Sequence, residues 1–186
     1  MLILKSASPR RREILEKLKL QFQVEPSNIN EDKLERETPL DYLKRVTIDK
    51  LEIEKSHSEN IYISSDTMVV YENSILGKPV NEAEALQILS TLSGKTHSVY
   101  SGIALWEKGD IFFGYEETRV EFKEWKEEEI LNYIRNCKPF DKAGAYGIQD
   151  SISPVKRYIG SYTNVMGFPI RTFYTRYPQW EKYLSK

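Results

Sequence analysis

Two runs rich in Val, Ile, Tyr and Phe, residues 96–106 and 111–123, flank Lys108-Gly109-Asp110. A glycine-bearing turn between two strand-like runs predicts a long β-hairpin. Helix signals surround it. Ser8-Pro9 offers an N-cap hydroxyl and a proline at the first helical position, predicting a helix to about residue 18. Thr38 and Asp41 stand at capping-box spacing before Leu40, Leu43, Val46 and Leu51, which line one side of a helix expected to reach residue 54. Asn81 caps a third helix carrying Ala85, Leu86, Leu89 and Leu92 and ending at Ser93-Gly94, and residues 125–136 repeat the pattern with Ile130, Leu131 and Ile134. Residues 1–4, 21–24, 61–65, 68–71 and 75–76 read as strands, with Asp66 between two of them. Residues 139–167 look irregular, and a last helix is expected over 169–177. Strands and helices interleave without a repeat or linker, so residues 1–186 are expected to form one α/β domain with two lobes around a cleft.

Charge narrows the functional classes. Lys plus Arg number 27 against 28 for Asp plus Glu, a net charge of -1, which gives no global field for gripping a nucleic-acid backbone. Any anion site must be local. Cys137 is the lone cysteine, so neither an intramolecular disulfide nor a multi-thiolate metal site can form, and a reducing, cytoplasmic setting is expected. The longest stretch without Asp, Glu, Lys or Arg spans only 13 residues, 158–170. A membrane span needs about 20 apolar residues, so none is expected. The apolar residues 1–4 precede Lys5 and Arg10 to Arg12, the reverse of a signal peptide's order, so the mature chain is expected to start here.

Residues 1–20 hold six basic side chains against two acidic, and Arg10 and Arg11 fall in the first turn of the first helix. A helix N-terminus already favours anions, so cations there are unfavourable unless an anion is bound. Their placement asks for a ligand. Other motifs fail: Gly94-Lys95-Thr96 lacks the first glycine of a P-loop and precedes a strand, and Gly144-Ala145-Tyr146-Gly147 is too short for a dinucleotide fingerprint. His57 and His97 are too few for a histidine metal cluster and read as structural. What remains are charged residues beside turn-formers, in Ser65-Asp66-Thr67, Gly77-Lys78-Pro79 and Asp141-Lys142-Ala143-Gly144. Phosphate chemistry uses this inventory: arginine forks and lysine charges neutralise oxygens, and carboxylates hold a hard divalent cation.

In this order those segments, with Lys5-Ser6-Ala7-Ser8-Pro9-Arg10-Arg11, Ser93-Gly94-Lys95-Thr96-His97, Ala145-Tyr146-Gly147-Ile148-Gln149 and Gly160-Ser161-Tyr162-Thr163-Asn164-Val165-Met166-Gly167-Phe168-Pro169, closely resemble the Maf family of nucleoside triphosphate pyrophosphatases. The resemblance spans nearly the whole chain. It implies a mixed-sheet α/β fold of Maf/ITPase type, a homodimer, and hydrolysis of a nucleoside triphosphate between the α and β phosphates with Mg²⁺ or Mn²⁺. It also implies that the partner is a small nucleotide. By resemblance Ser8, Arg10, Arg11, Lys50, Lys78 and Lys142 would hold phosphates, Asp66 would be the proton acceptor or metal ligand, and Glu31 a second metal ligand. Arg10, Thr67 and Gln149 match the members acting on dTTP and UTP. A glutamine amide, with a donor and an acceptor, suits the O4 and N3–H edge of uracil or thymine. A nucleotide-binding regulator of cell division with little turnover, and a purine pyrophosphatase of ITP/XTP type, are the rival readings. The chain departs from the family at Lys5, Thr47, Leu51, Lys138 and Asp150; of these, Lys5 would alter the phosphate corner and Asp150 the base pocket.

Overall fold

The computed structural model describes residues 1–53, 59–176 and 181–184. Seven strands among them form a mixed sheet: β1 (Leu2–Leu4), β2 (Gln23–Val24), β3 (Ile61–Tyr71), β4 (Ser74–Leu76), β5 (Thr96–Glu107), β6 (Asp110–Phe122) and β7 (Val155–Ile159). Their order is β2-β1-β3-β5-β6-β7, with β4 paired to β3. β1 lies parallel to both β2 and β3, while β4 and β7 run antiparallel to β3 and β6. The helices are α1 (Pro9–Lys17), α2 (Pro39–Asp49), α3 (Glu82–Leu92), α4 (Glu127–Cys137), α5 (Tyr162–Val165) and α6 (Ile170–Tyr174). β1 is buried throughout because parallel strands are covered on both faces, which explains why Leu2, Ile3 and Leu4 are all apolar.

The chain divides into two compact units. The first comprises residues 1–66, 101–116 and 167–186, and the second residues 67–100 and 117–166. In the first, Ile3, Leu51, Tyr62, Ala104 and Trp106 form a core in which Tyr62 meets the edge of Trp106 at 5.7 Å. In the second, Ala85, Leu89 and Leu92 of the expected α3 stripe pack with Val99, Val120, Phe122 and the Ile130, Tyr133 and Ile134 face of α4, while its fourth member, Leu86, is only partly buried against them. The hairpin, the four longer helices and their starts stand where the periodicity predicts them. Thr38 Oγ1 accepts the Asp41 N–H at 3.2 Å, and Asn81 Oδ1 accepts the Glu84 N–H at 2.9 Å.

Six expectations need correction. Asp66 does not separate two strands: β3 runs unbroken through it. Ser8 occupies the N-cap of α1, but its side chain accepts no helix N–H. Leu40 is 40 % exposed, since it sits in the first turn of α2 before the helix meets the sheet. α2 stops at Asp49, short of the expected residue 54, which lies outside the described residues with His57. The supposedly irregular 139–167 contains β7, an edge strand whose exposed Lys156, Arg157, Tyr158 and Ile159 lack the apolar alternation of a half-buried strand. α6 ends at Tyr174, and Tyr177, where the last helix was expected to finish, is also outside the described residues.

Candidate active site

Alternation along β3 sends Tyr62, Ser64 and Asp66 to one face, where α2 packs. Three contacts climb this seam. Tyr62 enters the core, Ser64 Oγ donates to the Thr47 carbonyl at 2.5 Å, and Lys50 Nζ donates to Asp66 Oδ1 at 2.6 Å. Lys50 is the C-cap of α2, one turn beyond the buried Val46, so the helix carries its ammonium onto the strand. Thr47 fits because residue 102 is glycine: a Cβ there would lie 2.7 Å from Thr47 Oγ1 and 3.2 Å from Leu43 Cγ. The Thr47 hydroxyl is satisfied by the Leu43 carbonyl at 2.6 Å. Leu51, the other departure beside Lys50, is fully buried.

Glu31 reaches the same ammonium from the loop before α2, with Oε2 3.0 Å from Lys50 Nζ. Asp66 and Glu31 therefore bracket one cationic point. Mg²⁺ or Mn²⁺ suits such a set, since a small hard cation commonly takes one or two protein carboxylates and completes its shell with water and substrate phosphates. Among the described residues no group of three His, Cys, Asp or Glu side chains could hold a metal. The donor set thus fits an ion shared with a ligand, and does not fit a closed structural site.

The opposite face of β3 carries Ser65, whose hydroxyl lies 2.7 Å from the Gly102 carbonyl and 3.0 Å from that of Gly167. Arg11 shares this acceptor. Its Nε donates to the Gly167 oxygen at 2.9 Å and its Nη1 to Ser6 Oγ at 3.0 Å. Burial pushes the Arg11 pKa below its ordinary value, while the charges of Asp66 and Glu31 act the other way and that of neighbouring Arg10 adds to the lowering. Arg11 is therefore a buried arginine in the field of both carboxylates, fixed by a fork that a cap alone would not require. Arg10 is half-buried beside it, and Ser8 begins the same turn. That turn contains no acidic residue, whereas the first turns of α2, α3 and α4 all do.

Two members of this cluster escaped the sequence reading. Tyr42 is half-buried, and burial followed by the charges of Asp66 and Glu31 pushes its phenol up to about 12. It remains a protonated donor near two carboxylates. Its signal was spacing: Tyr42, Val46 and Lys50 lie four residues apart on one helix side. Ser6 had no such signal, because its role depends on where Arg11 folds. Lys5 is buried with Nζ 3.1 Å from Glu52 and 3.9 Å from Glu25, so its extra charge is neutralised locally.

In the second unit, the Gly77-Lys78-Pro79 turn and the Lys142 segment are tied by a hydrogen bond from the Gly144 N–H to the Gly77 carbonyl, 3.0 Å. Lys78 is exposed, and Thr67, half-buried, continues β3 immediately after Asp66. Lys142 is buried, with Nζ 3.5 Å from Asp150 Oδ2, 3.6 Å from Asp141 Oδ1 and 3.5 Å from the Cys137 carbonyl. Gln149 is exposed and its Nε2 donates to Asp150 Oδ1 at 3.4 Å. The structure thus brings Arg11, Glu31, Lys50 and Asp66 together in one unit, and Lys142 with Gln149 around Asp150 in the other.

Comparison with known proteins agrees with the resemblance. The sequence profile of the Maf-like protein family matches residues 1–177. A protein of Leptospira borgpetersenii named dTTP/UTP pyrophosphatase is 48 % identical over 185 residues, covering 100 % of this chain and 99 % of that one. One of Leptospira biflexa with the same name is 49 % identical over 97 % of this chain and 94 % of its own, and one of Bacillus cereus 43 % identical over 91 % and 84 %. Among solved structures, a HAM1 protein from Coxiella burnetii aligns with TM-score 0.48 and 18 % identity over 65 % of this chain and 72 % of that one. The family profile across nearly all of the sequence, and relatives of almost equal length, establish that the chain belongs to the Maf-like family.

Proposed function

We propose that this protein is a nucleoside triphosphate pyrophosphatase that hydrolyses dTTP and UTP between the α and β phosphates, releasing the monophosphate and pyrophosphate. The observation that carries the reading is the convergence of Glu31 and Asp66 on Lys50 in the field of Arg11, in a chain whose relatives of that name share 43–49 % identity with it.

Asp66 is the group that takes the proton from the attacking water or helps to hold the metal, and Glu31 is the second carboxylate available to the ion. A divalent cation held there would polarise the α phosphate and acidify water. Lys50 fixes the Asp66 carboxylate and, with Arg10 and Arg11, balances charge on the polyphosphate as pyrophosphate departs. The uncapped, acid-free start of α1 at Ser8 favours an anion for the same reason. By family resemblance Lys78 and Lys142 are further phosphate partners, while Arg10, Thr67 and Gln149 select the base. That resemblance and the lone Cys137 also support a cytoplasmic homodimer.

The test is a panel of dTTP, UTP, CTP, ATP, GTP and ITP with Mg²⁺ or Mn²⁺ and with chelator, products resolved by phosphorus NMR. Pyrophosphate plus dTMP or UMP is expected, and it should vanish with chelator. Binding without turnover would favour the regulator, and preference for ITP the purine enzyme; either would overturn this proposal.

A further inference from the structure

Asp150 sits at the centre of a hydrogen-bonded knot in the second unit. Its Oδ2 accepts the Tyr133 hydroxyl of α4 at 2.5 Å and lies 3.5 Å from Lys142 Nζ, while Oδ1 faces Gln149 Nε2 at 3.4 Å. The Tyr133 oxygen in turn accepts the Gly147 N–H at 3.0 Å. Burial, followed by Asp150 itself, pushes the Tyr133 pKa above the ordinary tyrosine value, so the phenol remains a donor. Gly147 makes the knot possible. A Cβ there would stand 2.6 and 2.7 Å from the two Asp150 oxygens and 2.7 Å from Gln149 Nε2.

A carboxylate has no proton to give, so the Gln149 atom facing it must be the amide nitrogen, and the amide oxygen lies on the other side of the group. That choice has chemical content. Uracil and thymine present a ring N3–H beside a carbonyl O4, whereas cytosine presents a bare N3 beside an amino group. An unrestrained glutamine amide can serve either edge by turning half a revolution. A turned Gln149 would put its carbonyl against the Asp150 carboxylate, two acceptors with no proton between them.

We infer that Asp150 is a specificity-determining residue that acts through Gln149, pinning its amide in the orientation that reads the N3–H and O4 edge and so rejecting cytosine. The inference rests on the proposed base-selecting role of Gln149 and goes beyond it by naming what orients the amide. It also assigns a use to Gly147 and Tyr133, which hold the carboxylate in place.

The experiment measures kcat/KM for UTP and CTP, and for dTTP and dCTP, in the parent, Asp150→Ala and Asp150→Asn, with folding checked by circular dichroism. Asp150→Asn keeps the shape and a partner for Tyr133, but its own amide can turn to suit either Gln149 orientation, so it provides the test should Asp150→Ala not fold. The expected result is a fall of tenfold or more in the uridine-to-cytidine ratio in each folded variant, produced partly by a rise in kcat/KM for CTP. Damage to packing alone would lower both substrates together. Ratios within twofold of the parent, or a fall without any gain on CTP, would overturn the role of Asp150 while leaving the pyrophosphatase reading intact. A parent that hydrolyses no pyrimidine triphosphate would overturn both.

Discussion

Lys50 Nζ and Asp66 Oδ1 stand 2.6 Å apart, with side chains only 8 % and 10 % exposed. Removing one member of a buried ion pair strands the other, at a cost of about 3–5 kcal/mol, whereas replacing both with apolar groups is often neutral. Lys50→Met is therefore expected to lower unfolding free energy substantially, and Lys50→Met with Asp66→Leu to cost less than the two single changes added. Urea denaturation of the four proteins gives the coupling. Asp66→Asn should fold and bind nucleotide yet lose about 10²–10⁴ in kcat, the range for a lost general base. Turnover of dTTP at the parental rate would remove Asp66 from the chemistry.

Arg11→Lys preserves charge but cannot reproduce the fork to the Gly167 carbonyl and Ser6 Oγ. Losing these buried hydrogen bonds from a charged donor is expected to cost about 1.5–3 kcal/mol, although Ser65 still donates to the Gly167 carbonyl. KM for nucleotide should rise as well. A stable variant with unchanged KM would show that the fork positions nothing.

Gly102→Ala places a methyl group 2.7 Å from Thr47 Oγ1, and overpacking of this kind costs about 1–3 kcal/mol. Thr47→Ala should restore most of that loss in the double variant, because it clears the atom that clashes. Two additive destabilisations in thermal melts would place the strain elsewhere.

His97 is 3 % exposed, and burial pushes its pKa down to about 4. Its Nε2 pairs with the Tyr146 hydroxyl at 2.8 Å, and Nδ1 has no partner among the described residues. Since the folded protein holds this ring neutral while the unfolded chain protonates it near pH 6.5, stability must fall as pH drops through 6.5 and level off below about 4. Linkage gives a loss of about 2 kcal/mol between pH 7.5 and 5. His97→Gln should flatten that part of the pH–stability curve even if it is less stable throughout. An unchanged slope would show that other groups set it.

The sequence made the local elements legible and left the long-range partners hidden. Lys108-Gly109-Asp110 and the apolar runs beside it define the hairpin, because turn chemistry and side-chain alternation are written in neighbouring residues. β7 was invisible for the converse reason: an edge strand with exposed side chains carries no apolar rhythm. The sequence reads Asp66 as a break between two strands; an acid inside a buried strand is costly, and the facing Lys50, sixteen residues earlier, compensates it. Family resemblance named Arg11, Glu31, Lys50 and Asp66, but neither motif nor spacing could have indicated that Glu31 and Asp66 share one ammonium. Likewise no motif pairs Lys5 with Glu52, which follows the end of α2 and lies 3.1 Å from its ammonium.

The Gly167 carbonyl receives both Arg11 and Ser65, across sequence separations of 156 and 102 residues. During synthesis these two side chains emerge from the ribosome long before their shared acceptor does. A chain cut before residue 167 leaves Arg11 the Ser6 hydroxyl but not this carbonyl, so the buried guanidinium is fully held only once that late segment has docked.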